Sequence, residues 1–204
     1  PLLIIFLRDL INTTISNRAQ VEKLSDVPVL SELGHNNTGQ VIIDHASNTD
    51  SNAELFRLLR TKLQFTLDYP SQKVMMVTST EPGEGKSYVS LNLAISLSLT
   101  GKKVMLMGLD LRKPQLKKHL NLDGEEGMSS ILSGHVSDYR SIIQHVEAYP
   151  TLDVIPGGVI PPNPNELLMS KRLDDMVEKL RNEYDYIVID TAPVGAVSDS
   201  FLID

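Results

Sequence analysis

One stretch of this chain leaves few folds open. Glu81-Pro82-Gly83-Glu84-Gly85-Lys86-Ser87 stands between a short apolar run, Lys73-Val74-Met75-Met76-Val77-Thr78, and a long apolar-periodic stretch from Lys86 to Leu99. This order predicts strand, glycine loop, helix. Gly83 and Gly85 let the backbone take conformations closed to other residues and come close to an anion. Backbone N–H groups and the start of the helix then face a phosphate. Glu84, between the two glycines, and Tyr88, just past the loop, belong to the same predicted nucleotide cradle, so it spans Gly83, Glu84, Gly85, Lys86, Ser87 and Tyr88. Lys86 reaches the β- and γ-phosphates, and the Ser87 hydroxyl ligates Mg²⁺. The expected cofactors are ATP and Mg²⁺. The full Walker pattern asks for glycine at position 80, where this chain has Thr80.

Such a loop needs an acid at the end of a neighbouring strand to order the magnesium shell. Asp190 directly follows Tyr186-Ile187-Val188-Ile189 and is the candidate. A second acid, Asp110, follows the apolar run Lys103-Val104-Met105-Leu106-Met107 and precedes Leu111-Arg112-Lys113-Pro114. Carboxyl ends of parallel strands open into one crevice. Asp110 could hold metal there, accept a proton from an attacking hydroxyl, or cap a helix over 114–120. Lys86, Asp110 and Asp190 are therefore the candidate catalytic residues, and Ser87, Asp110 and Asp190 the candidate metal-site residues. Arg112 and Lys113 face either phosphate or solvent.

Leu152-Asp153-Val154-Ile155, stopped by Pro156-Gly157-Gly158, reads as a further strand. Asn163-Pro164-Asn165-Glu166 reads as a helix start, with Asn at the cap, Pro at the first turn and Glu three residues past the cap. The helix it opens would bury Met169, Leu173, Met176, Val177 and Leu180. Continuous apolar strands alternating with helices predict an α/β fold: a mostly parallel sheet with helices on both faces. Further strands are expected beyond residue 204.

The N-terminal part reads differently. Pro1 to Leu7 is almost wholly apolar and ends at Arg8. Seven residues cannot span a bilayer, which needs roughly 20. Without an initial Met, the sequence reads as a piece of a longer chain. Residues 1–7 are then the end of a transmembrane helix or, alternatively, a short buried element. On the first reading Arg8, Arg18 and Lys23 lie on the inner side. Residues 8–50 read as a juxtamembrane connector, with Val41-Ile42-Ile43 as one short strand, and residues 51–204 as the P-loop domain. Residues 52–67 read as a helix with Leu55, Phe56, Leu59 and Leu63 at helical spacing. Glu54, Arg57 and Arg60, three apart, share its polar face. The net charge of −7 makes nucleic acid a poor partner. With no cysteine, disulfides and thiolate metal sites are excluded.

In order along the chain, Glu54-x-x-Arg57-x-x-Arg60, the loop with Asn92-Leu93-Ala94 behind it, Leu109-Asp110-Leu111-Arg112-Lys113-Pro114, residues 127–134, residues 161–168 and Asp185 to Pro193 resemble the motifs of bacterial tyrosine kinases. These are the polysaccharide co-polymerase kinases, within the wider MinD/ParA group of P-loop ATPases. The resemblance implies a protein-tyrosine autokinase domain on the cytoplasmic side of the bacterial inner membrane. It also implies a homo-oligomeric ring joined through the helix at 52–67, with Glu54, Arg57 and Arg60 at the contact. Acceptor tyrosines would lie in a neighbouring subunit's tail, and the partner would be the capsule or exopolysaccharide export machinery. Three departures qualify it. Gly108 stands where the second motif usually carries an aspartate. Glu81 replaces the lysine of MinD/ParA ATPases, against their nucleotide-sandwich dimer. The six tyrosines, at 69, 88, 139, 149, 184 and 186, form no cluster. Gly108 keeps open a catalytically weak, nucleotide-gated assembly module; a MinD/ParA-like ATPase is the third alternative.

Overall fold

The computed structural model describes residues 15, 17–36, 39–43, 51–68 and 70–195. The predicted membrane-helix end at 1–7 lies outside them. No described helix is long and apolar enough to cross a membrane.

Five strands form one sheet: β1 Val74–Val77, β2 Val104–Gly108, β3 Gln144–His145, β4 Leu152–Ile155 and β5 Tyr186–Asp190, in the order β1-β5-β2-β4-β3. All pairings are parallel except that of β3 with β4. In helix order come α1 Arg18–Leu24, α2 Ser51–Thr66, α3 Lys86–Ser98, α4 Leu116–Leu120, α5 Met128–Leu132, α6 Pro164–Leu168 and α7 Lys171–Glu183. The prediction of a mostly parallel sheet covered on both faces therefore holds.

The two faces follow from strand alternation. Met105, Met107, Ile187 and Ile189 point into one core with α5, α6 and α7. Val104, Leu106, Tyr186 and Val188 point into the other, with Phe56 and Leu59 of α2 and Leu91 and Ile95 of α3. All five residues of β2 and of β5 are buried, as strands covered on both sides must be.

Four local expectations change. Val41-Ile42-Ile43 is not a strand. Its backbone is held instead by the fully buried Asn92 of α3: the Ile43 N–H donates to Asn92 Oδ1 at 3.0 Å, and Asn92 Nδ2 donates to the Val41 carbonyl at 2.8 Å. One amide side chain supplies a donor and an acceptor, as a neighbouring strand would. The single helix expected from 163 onward is two, because Met169 and Ser170 interrupt it and Ser170 is extended. Met169 is consequently exposed, whereas Leu173, Met176 and Leu180 are buried. Asn163 makes no side-chain cap; its Nδ2 donates to Glu166 Oε2 at 2.7 Å. The connector holds α1, capped by Asn17 Oδ1 accepting from the Gln20 N–H at 3.1 Å, with no buried residue.

Replacing Asn92 with Ala strands the buried Ile43 N–H and the part-buried Val41 carbonyl. This is expected to lower unfolding stability by about 2 kcal/mol, read from urea denaturation. An unchanged midpoint would mean that the segment is not anchored there.

Candidate nucleotide site

Parallel pairing brings the carboxyl ends of β1, β5 and β2 together. Val77 and Gly108 each stand opposite Asp190 in register. Past the ladder, the Leu109 and Asp110 N–H groups both donate to the Asp190 carbonyl, at 2.8 and 3.1 Å. On the other side the Thr191 N–H donates to the Val77 carbonyl, the Val194 N–H to Ser79 and the Gly195 N–H to Thr80. The segment after β5 thus extends the sheet along the start of the glycine loop.

The loop itself runs from Thr78 to Gly85. Gly83 and Gly85 have φ of 91° and 95°, the left-handed region that side chains disfavour. Gly85 is the residue from which α3 starts. Lys86 Nζ lies 2.8 Å from Asp110 Oδ2, and both side chains are nearly enclosed. The other Asp110 oxygen accepts the Lys113 N–H at 2.9 Å. Asp110 therefore closes the 110–113 turn; it does not cap α4, which begins at Leu116 behind Gln115.

Asp190 is 1% exposed, and its Oδ1 has no hydrogen-bond partner. Burial pushes its pKa up to about 6, and the neighbouring Asp110 charge adds to the rise. The Ser87 hydroxyl, the Lys86 ammonium and the Ser90 hydroxyl pull it partly back. A buried acceptor left open beside the Ser87 hydroxyl and the Asp110 carboxylate is an all-oxygen donor set of the kind Mg²⁺ takes.

A cleft of about 370 Å³ opens over these groups. Of the sequence-predicted residues, Gly83, Gly85, Lys86, Ser87, Tyr88 and Asp110 line it, as do Arg112 and Lys113. Asp190 does not line the cleft but lies buried next to Ser87, Lys86 and Asp110, which do, and Glu84 is turned away over its own loop. The Arg112 guanidinium also donates to Asn165 Oδ1 at 2.6 Å, tying the turn to α6. Sequence reasoning missed Val41, Gln115 and His119 in the wall, where neither motif nor periodicity marks them. Burial, then the Lys118 charge, lowers the His119 pKa.

Gly108 also has a packing reason. A Cβ there would lie 2.9 Å from the Gly157 N and 3.3 Å from Leu116 Cδ1, so an aspartate requires the backbone to move. Away from the cleft, the helix-face residues divide. Arg57 pairs with Glu54 on the outer side of α2. Arg60 Nη1 instead donates to the Ser96 carbonyl at 2.7 Å and is half-buried against α3. Glu54 is exposed, and Arg57 and Arg60 are both half-buried beside it.

Comparison with known proteins decides the family. Residues 72–202 match the AAA domain family. The chain is 33% identical to the chimerical protein CapA2B2, over 92% of this chain and 80% of that one, with a TM-score of 0.81. The chain belongs to the bacterial tyrosine-kinase family of P-loop proteins. The kinase domain of the Escherichia coli tyrosine kinase ETK superposes with a TM-score of 0.84 at 29% identity, over 93% of this chain and 78% of that one. The tyrosine-protein kinase ptk of Acinetobacter johnsonii is 32% identical over 98% of this chain but only 29% of its own length. The chain thus spans about a quarter of the length of the curated relatives it matches first. The septum site-determining protein MinD of Pyrococcus horikoshii, at 24% identity and a TM-score of 0.51, shares the fold.

Ionisation of Asp190 makes stability depend on pH. Its folded value, about 6, lies above the ordinary 3.8, so the folded state holds the proton more tightly. Nucleotide-free protein therefore loses stability from this group as pH rises from about 4 to about 6, by roughly 3 kcal/mol. Asp190→Asn removes that loss: its urea midpoint exceeds the parent's at pH 7.5, and the gap narrows towards pH 5. A variant less stable than the parent at pH 7.5 would contradict it.

Proposed function

We propose that this chain is an ATP-dependent protein-tyrosine kinase domain, the autokinase of a capsule or exopolysaccharide export system. The convergence of Lys86, Ser87, Asp110 and Asp190 under one cleft supports the reading most. The kinship with chains whose printed names are tyrosine-protein kinases supplies the acceptor class.

In this reading the 83–88 amides and the Lys86 ammonium hold the triphosphate. Ser87, Asp110 and Asp190 would hold the Mg²⁺, which when bound neutralises charge on the β/γ oxygens. Lys86 now neutralises Asp110; drawn onto phosphate, it would release a carboxylate whose two oxygens can serve the metal and accept the phenol proton. The γ-phosphorus then exchanges its bond to the β-phosphate oxygen for one to the tyrosine oxygen, and ADP leaves. Positioning and charge neutralisation account for most of such catalysis.

The wider assignments rest on kinship. Residues 1–7 would end a membrane helix and residues 8–50 would connect it to a kinase domain on the cytoplasmic side. The subunits would form a homo-oligomeric ring through α2, presenting tail tyrosines to one another. Glu54, Arg57 and Arg60 would lie at that contact, with Arg60 also bonded to the Ser96 carbonyl of its own subunit. A second reading, a nucleotide-gated assembly module of weak activity, is favoured by Gly108, which offers no second carboxylate.

Incubation of the full-length protein with ATP and Mg²⁺ is expected to form phosphotyrosine, and Lys86→Met to abolish it. Nucleotide-dependent assembly without phosphotyrosine would replace the kinase by the module. Arg57→Ala is expected to shrink the full-length assembly in light scattering; an unchanged mass would remove α2 from the contact.

A further inference from the structure

The glycine loop contains an anion hole that the loop fills itself. The N–H groups of Thr80 and Glu81 are successive and point the same way, and both donate to one oxygen, Glu84 Oε2, at 2.8 and 3.1 Å. Adjacent amides arranged so form a concavity that favours negative charge. Left-handed conformations at Gly83 and Gly85, on either side of Glu84, turn the chain so that this carboxylate folds back over residues 80–81. Two further bonds fix the same stretch. Ser79 Oγ donates to the Glu81 carbonyl at 2.9 Å, and the Thr80 carbonyl accepts the Gly195 N–H at 2.9 Å.

We infer that the Glu84 carboxylate is a positioning residue, an internal brace that holds the glycine loop open for a triphosphate. The inference rests on the nucleotide-site reading above and adds a role for a side chain that touches no phosphate in it. The amides it occupies lie upstream of the 83–88 amides assigned to phosphate, so it does not compete for the same donors. Its negative charge is nevertheless unfavourable close to a polyanion. Bracing and charge therefore act in opposite directions on nucleotide affinity, and this makes the role measurable. Gln can accept both N–H bonds through its amide oxygen and carries no charge. Ala can do neither.

The test is titration calorimetry of Mg·ATP, and separately of Mg·tripolyphosphate, against the full-length protein and its Glu84→Gln and Glu84→Ala variants. Glu84→Gln is expected to bind both ligands as tightly as the parent or more tightly. Glu84→Ala is expected to bind both about tenfold more weakly, the effect of losing two charge-assisted bonds that order the loop. Because Glu84 is exposed, the nucleotide-free melting temperatures of all three should agree within about 2 °C. Glu84→Ala binding as tightly as the parent, or more tightly, would overturn the brace; the tighter result would make the carboxylate a plug that nucleotide displaces. If the parent itself binds neither ligand, the nucleotide-site reading fails first, and the brace with it.

Discussion

Strand β5 carries the rest of the structure. It is hydrogen-bonded on both sides, to β1 and to β2, with all its residues buried. That pairing aligns Val77, Asp190 and Gly108 across the sheet, so the glycine loop after β1 and the Asp110 turn after β2 must open at the same end. The Asp190 carbonyl then ties down the Leu109 and Asp110 amides directly. Insertion of β5 between β1 and β2, in parallel with both, is thus what turns motifs more than a hundred residues apart into one site.

Within that site the main electrostatic fact is a nearly enclosed ion pair between Lys86 and Asp110 above an acid, Asp190, that burial makes reluctant to ionise. Charges removed from water are costly unless they are paired. The nucleotide-free cleft solves this by pairing its ammonium with one carboxylate and raising the pKa of the other. A triphosphate and its cation would reverse both arrangements, taking the lysine and favouring the ionised acid. Binding and proton balance are therefore linked through the same three residues.

The features legible in the sequence are those with strong local causes. Four strands show as apolar runs, and Gly83, Gly85, Lys86 and Ser87 announce the loop. The placements of Asp110 and Asp190 followed from strand ends alone. What stayed hidden depends on distant partners. Nothing local distinguishes Val41-Ile42-Ile43 from a strand until Asn92, about fifty residues on, supplies its hydrogen bonds. Gln144–His145 is too short and too polar to show a period, and it is a strand only because β4 lies beside it. Ser170 could have signalled the break between α6 and α7, but the apolar spacing across it masks the interruption. Arg60 has the spacing of a surface residue and a partner, the Ser96 carbonyl, on another helix. His119 and Gln115 line the cleft through the path of the chain after Asp110, which no motif encodes.

The central claim is that one cleft receives the triphosphate by exchanging the Lys86–Asp110 pair for a Lys86–phosphate contact. A crystal structure of the protein with Mg²⁺ and a non-hydrolysable ATP analogue tests it most directly. The account predicts phosphates seated on the 83–88 amides, with the Lys86 ammonium withdrawn from Asp110. A nucleotide seated elsewhere, or an intact Lys86–Asp110 pair beneath bound phosphates, would contradict it.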